Sequence, residues 1–239
     1  MALTEECRIK LQTTSTATLN AVLFKRGLRN TYVRGIRLIN PDSPRMIGPA
    51  YTLRYIPARE DLDHIDAFEN LYPTQKKAVE ECPAGSVLMI DAREDSSAAS
   101  AGVILLTRLM KRGCAGVVTD GGFRDTPGIA KLVMPSYHAR PATPASLIRH
   151  HAVDINVPIG CGGVPVFPGD IIVGDAEGVV VIPRAISPGV ITEACEQGLF
   201  EDFVRKKVEE GQSVVGLYPP SAAMRKDYEE WRATQQGIG

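Results

Sequence analysis

The sequence has no Cys-x-x-Cys pair, and its five cysteines (Cys7, Cys82, Cys114, Cys161, Cys195) are an odd number. Neither a zinc ribbon nor a secreted disulfide framework fits that usage. Cys114 and Cys161 lie in apolar surroundings and read as small buried side chains. Charge of one sign is also missing: Lys+Arg 27 against Asp+Glu 28 leaves a net charge of -1. The closest basic group, Arg205-Lys206-Lys207, reads as a solvated helix face, so no nucleic-acid partner is expected. No apolar run approaches a membrane span, and MALTEECRIK lacks the apolar core of a signal peptide. The expected address is a reducing cytoplasm, with no membrane partner.

What remains is ordinary globular material: 239 residues, 44% hydrophobic and 23% charged. That length supports a sizeable core without disulfide staples. Residues 13–27 read as a first helix with Gly27 as its stop, and 48–57 alternate like a strand. A helix is expected over 68–81, interrupted at Pro73. SVLMI at 86–90 reads as a strand buried on both faces, and AGVVT at 115–119 as another. Between them Val103, Leu106, Leu109 and Met110 recur at helical spacing up to Gly113. A crossover of that length makes the two strands parallel. Further on come a short helix and strand over 129–138 and a glycine-rich turn and strand over 157–166. A strand pair follows over 170–182 and a long helix over 188–210. No repeat or linker divides 1–211, which is expected to form one α/β domain. The tail, 212–239, carries a charged helix with Trp231, the sole tryptophan, placed to pack on the body or on a neighbouring subunit.

Two segments could carry chemistry. After the strand at 86–90, small residues lead into a helix for which Ser100 is the expected N-cap. Early helix amides lack intrahelical acceptors, and small side chains let a carboxylate or phosphate reach them. The same pattern equally describes a capped helix with no ligand. The second segment is Asp120-Gly-Gly-Phe-Arg-Asp125, at the end of a parallel strand where open sheets place ligand sites. Arg124 offers a planar fork for a carboxylate, and Asp125 a hard oxygen for a divalent cation. Taken alone, Arg-Asp is also a common surface turn. Taken together, parallel neighbouring strands would bring both segments to one end of the sheet. His138 at a strand end invites a base role but reads more readily as structural. His150-His151 read as helix or loop surface, and Gly160-Cys-Gly-Gly163 as a turn without phosphate-loop spacing.

The run of Gly102, Arg112-Gly113, Gly116-Val117-Val118, Asp120-Gly121 and Arg124-Asp125 resembles the family of 4-hydroxy-4-methyl-2-oxoglutarate aldolases and regulators of ribonuclease activity A. His138-Ala139-Arg140, Val157-Pro158-Ile159, Pro168-Gly169-Asp170 and Gly174-Asp175 through Gly178-Val179-Val180 continue the likeness, which covers residues 35–211 in order. The resemblance implies a compact α/β/α fold of the swivelling type, with parallel and mixed strands, assembled as a homotrimer or a dimer of trimers. It implies sites between subunits, with Mg2+ or Mn2+ held by Asp125 and water. Arg124 and the backbone of Gly102, Val103, Ile104 and Leu105 would bind a small 2-oxo acid. Glu201 matches, by its spacing to Gly211, an acidic residue donated by the neighbour. The implied activity is that of a class II aldolase: cleavage of a 4-hydroxy-2-oxo acid to pyruvate, with oxaloacetate decarboxylation as a side activity. Active members of that family usually carry Asp or Glu directly after the helix glycine, where this chain has Val103. Asp91, Glu94 and Asp95, just upstream, are the candidate substitutes. The departure keeps open two other expectations: a non-catalytic protein that binds a ribonuclease, and a dehydratase of a sugar-derived oxo acid.

Overall fold

The computed structural model describes residues 3–66 and 73–236, with side chains to 233. Its centre is an eight-stranded mixed sheet of order β1-β7-β5-β3-β2-β12-β13, with β9 also paired to β2. The strands are β1 (Arg37–Leu38), β2 (Met46–Pro57), β3 (Val87–Asp91), β5 (Gly116–Thr119), β7 (Ser136–His138), β9 (His150–Ile155), β12 (Ile171–Asp175) and β13 (Gly178–Ile182). β2, β3, β5 and β7 run parallel, and the remaining pairings are antiparallel. The fold is therefore mixed α/β, as expected. β3 and β5 pair in parallel register from Val87↔Gly116 to Ile90↔Thr119, the arrangement that the crossover required.

Burial explains why these segments are strands. Val87 to Ile90 and all of β13 are buried, so the β-branched and aliphatic runs meet apolar neighbours on both faces. On one side, α3 (Thr74–Glu81) and α4 (Val103–Lys111) cover the parallel half through Val79, Leu106 and Leu109. α4 stops where the sequence indicated, with Gly113 at φ +80 just past Arg112. A second group, α1 (Glu5–Thr13), α2 (Thr16–Lys25) and α6 (Ser187–Glu209), closes over β12 and β13 through Leu19, Leu23, Val190 and Ile191. The hairpin β10 (Ile159–Cys161) and β11 (Val164–Val166) fills the remaining side, turning at Gly162 and Gly163, both at positive φ. No described helix is long and apolar enough to cross a membrane.

Several expectations are corrected. Residues 5–13 form a helix that periodicity did not reveal, because only Leu11 of it is buried. The first expected helix begins at Thr16, capped by Ser15, whose side chain accepts from the Thr18 amide. Part of the helix expected over 68–81 falls outside the described residues; the described part starts at Thr74, after Pro73. His150 and His151 lie in strand β9, not in a helix or loop, and His150 is buried. Ser100 is not an N-cap. It lies in a short strand, β4 (Ala99–Ala101), its hydroxyl bonded to Thr119 Oγ1 and the Gly122 carbonyl. The helix cap is Gly102.

α6 carries the tail. The last helix, α7 (Ala222–Gln236), sets Tyr228 and Trp231 against Phe203, with ring centroids 5.5 and 5.4 Å away. Arg232 reaches Glu196 of α6 at 2.6 Å.

Candidate active site

At the end of the parallel strands, β4 joins a small three-stranded sheet with β6 (Gly122–Phe123) and β8 (Arg140–Pro141). β4 and β6 run parallel, so the chain segments that leave them emerge side by side. From β4 the chain passes through Gly102, extended at φ -137 and ψ 178, into α4. From β6 it passes into Arg124 and Asp125, and the Arg124 amide donates to the Ala101 carbonyl at 3.0 Å. Gly102 and Arg124, 22 residues apart in sequence, thus converge, which is the juxtaposition that the strand–helix–strand pattern predicted.

Gly102 makes the approach possible. A Cβ there would lie 2.7 Å from Arg124 Cγ and 2.9 Å from Asp125 Oδ2. Asp125 itself adopts a left-handed conformation, φ 60 and ψ 32, at the head of the short helix α5 (Thr126–Ile129). Its side chain makes no cap hydrogen bond to that helix. The carboxylate instead pairs with Arg124, Nε to Oδ2 at 3.4 Å, both groups half-exposed. Asp tolerates the left-handed region better than most residues, and this strain is what aims the carboxylate back at the start of α4.

These residues open onto a cleft of about 350 Å³, lined by Gln75 and Lys76 of α3, Gly102, Ile104, Leu105, Arg124, Asp125 and Ser146 among others. The first amides of α4 have no side-chain cap, and a helix start is electropositive. With Arg124 they make an anion-binding corner. Val103 does not line the cleft. Its Cγ2 would be 3.2 Å from a Cβ on Gly128, so it leans on α5.

The sequence reading missed Gln75 and Lys76. Their signal was concealed behind Pro73, beyond which the chain starts α3 facing the cleft. Gln75 Nε2 donates to Tyr55 Oη at 2.8 Å and to the Ser100 carbonyl at 2.7 Å. Tyr55 is buried and donates to the same carbonyl at 2.8 Å. His150 stacks on Tyr55, its Nε2 3.2 Å from the Ala98 carbonyl and its Nδ1 3.2 Å from Arg93 Nη2. A carbonyl on one nitrogen and a guanidinium on the other select the neutral ring with the proton on Nε2. Burial lowers its pKa in the same direction.

Other candidate groups lie elsewhere. Asp120 is buried and accepts the amides of Ala92, Glu94 and Gly162, so it staples the strand ends together. Burial pushes its carboxyl up to about 6. Asp91 accepts from Arg93 and Gly160, and Asp95 from Ser97; with Glu94, neither lines the cleft. His138 is buried behind Phe123, ring centroids 5.9 Å apart, and burial lowers its pKa to about 4. Glu201 lies on α6 in a separate groove with Thr13, Ser15 and Arg205, where it accepts from Thr18 Oγ1 at 2.8 Å and Gln197 Nε2 at 2.7 Å.

The donor set limits which metal would fit. Among the described residues no group of three or more His, Cys, Asp or Glu converges on one point. Asp125 is the sole carboxylate among the named lining residues, and the missing Cβ at Gly102 leaves room beside its Oδ2. One hard oxygen with open space suits a hydrated divalent ion that completes its shell with water and ligand oxygens, the habit of Mg2+.

Comparison with known proteins identifies the family. A protein of Halalkalibacterium halodurans, provisionally named a 4-hydroxy-4-methyl-2-oxoglutarate aldolase, is 33% identical over 177 residues, 74% of this chain and 78% of that protein. The Thermus thermophilus 4-hydroxy-4-methyl-2-oxoglutarate aldolase is 32% identical over 109 residues, 46% of this chain and 66% of that one. Among solved structures, Streptomyces coelicolor RraAS2, described as an unusual member of the RNase ES inhibitor RraA protein family, superposes with a TM-score of 0.74 at 29% identity. The match covers 86% of this chain and 98% of that one. Residues 16–181 match the model of the RraA-like family, described as Aldolase/RraA, and the chain belongs to that family.

Proposed function

We propose that the chain is a divalent-metal-dependent carbon–carbon lyase that cleaves a 4-hydroxy-2-oxo acid to pyruvate and also decarboxylates oxaloacetate. One observation carries the reading: Arg124 and Asp125 meet the uncapped start of α4 across Gly102 in a single cleft. The amides of 103–105 and the Arg124 fork would take the carboxylate of the 2-oxo acid, fixing its orientation. Asp125 would hold Mg2+ or Mn2+ together with water. The cation would supply Lewis-acid polarisation of the 2-oxo group.

The remaining chemistry concerns protons. A base removes the C4 hydroxyl proton, the C3–C4 bond breaks, and a carbonyl forms at C4. The electron pair passes to the pyruvate part as an enolate, which is then protonated at C3. Arg124 places positive charge where that oxyanion develops. Val103 offers no base, so the role is assigned to Glu201 of a neighbouring copy, in a homotrimer or dimer of trimers. The test is pyruvate release from 4-hydroxy-2-oxo acids and from oxaloacetate, with Mg2+ or Mn2+ and after chelation. Metal-dependent release is expected, with chelation lowering the rate at least about 100-fold. No pyruvate from any of these substrates would overturn the reading.

A second reading, a non-catalytic protein that binds a ribonuclease, draws on Val103 and on the likeness to RraAS2. Its mark would be recovery of a ribonuclease in a pull-down that Arg124→Ala leaves intact.

A further inference from the structure

We propose that Gln75 is a specificity-determining residue of the cleft, reading a hydroxyl group on the part of the ligand distal to its 2-oxo acid end. This rests on the lyase reading only for the identity of that acid. Gln75 Nε2 sits 2.7 Å from the Ser100 carbonyl and 2.8 Å from Tyr55 Oη, while Tyr55 gives its own proton to Ser100 at 2.8 Å. A backbone carbonyl only accepts, so the nitrogen of the amide, and not its oxygen, must face Ser100. Both Nε2 hydrogens are then used. Tyr55 is 2% exposed and Ser100 is buried, so the anchor is dry and cannot readily turn.

The consequence falls on the other branch of the amide. Oε1 takes no hydrogen bond from any described residue, and Gln75 is half-buried in the wall of the same cleft as Gly102, Arg124 and Asp125. A fixed acceptor in a cleft favours a ligand that donates, and opposes a carboxylate or carbonyl at that point. The acid end of the ligand is already matched by the α4 amides and Arg124. What remains for Gln75 is the distal part, and the donor available on a 4-hydroxy-2-oxo acid is its hydroxyl. Gln75 is no base: its amide oxygen accepts the hydroxyl hydrogen in the bound ligand, and that hydroxyl must turn its hydrogen from Oε1 to the base before C3–C4 breaks.

The experiment uses two acids that no retro-aldol reaction can cleave, 2,4-dihydroxybutyrate and 2-hydroxybutyrate, which differ by one hydroxyl. Calorimetry with the full chain and Mg2+ is expected to give roughly tenfold tighter binding of the dihydroxy acid. Gln75→Met should abolish the preference. Tyr55→Phe, which loosens Ser100 but keeps Oε1, should retain it. Equal binding of the two acids by the unsubstituted protein would overturn the proposal. So would a preference that survives in Gln75→Met, or one that Tyr55→Phe abolishes equally. A preference that persists in a protein releasing no pyruvate leaves Gln75 as a hydroxyl reader and removes the lyase reading instead.

Discussion

At the scale of single residues, the candidate site depends on an atom that is missing. Gly102 has φ -137, which alanine adopts without strain, so its glycine is required by the space above it and not by its backbone. A Cβ would press on Arg124 Cγ and Asp125 Oδ2, both side-chain atoms that can shift. Gly102→Ala is therefore expected to leave the melting temperature within a few degrees while lowering pyruvate release at least about tenfold by displacing the pair. Thermal melts beside initial rates check both halves. His138 supplies a pH dependence. Its ring is buried, Nδ1 has no partner among the described residues, and burial lowers its pKa from the ordinary 6.5 to about 4. A base depressed on folding contributes stability above pH 6.5, and that stability is lost as pH falls through 4. His150 acts in the same sense, while Asp120, raised by burial, opposes both. His138→Phe, which keeps a ring on Phe123, should thus lose less stability than the parent between pH 6.5 and 4, by up to about 1.4 kcal/mol per pH unit. Denaturant melts across that range would show it. Arg124 and Asp125 were legible in the sequence because their residue types announce their chemistry. Gln75 was not, since what gives it meaning is a bond to a carbonyl 25 residues away.

At the scale of elements, the sequence was legible where burial writes a period. β3, α4 and β5 follow from an apolar run, a helical repeat and a second run, and their parallel order follows from the crossover. β4 could not be read. Three small residues, Ala99–Ala101, carry no strand signal, and they pair with a strand of only two residues. α1 was hidden for the opposite reason, being polar almost throughout. The start of α4 is where the family pattern and this chain part. Val103 occupies the first helical position and leans on α5 at Gly128, so the acidic residue usual there is replaced by a packing contact between two helices. An acid at a helix start is favoured by the dipole, typically by about 0.3–1 kcal/mol, which offsets the lost contact. Val103→Asp is accordingly expected to keep the melting temperature within a few degrees. If the missing carboxylate limits proton transfer, pyruvate release should rise about tenfold or more. A rate that does not rise would place the limiting step elsewhere.

At the scale of the whole molecule, the cleft and Glu201 lie on different elements of one chain. Arg124 follows β6 at the end of the parallel strands, whereas Glu201 sits on α6, held by Thr18 and Gln197. Two residues further along α6, Phe203 is buried against Tyr228 and Trp231 of the tail. If a site takes Arg124 from one copy and Glu201 from the next, each substitution disables a different partner. Arg124→Ala and Glu201→Gln, purified separately, should each release pyruvate at least about 100-fold more slowly than the parent. Refolded together in equal amounts, they can form an intact site wherever a Glu201→Gln copy, with its Arg124, meets the Glu201 of an Arg124→Ala copy. Random assembly in a closed ring makes that pairing at one interface in four, so roughly a quarter of the parent rate should return. Light scattering would give the size of the assembly on the same samples. A mixture no more active than its parts would remove Glu201 from the site, and with it the requirement for a second subunit.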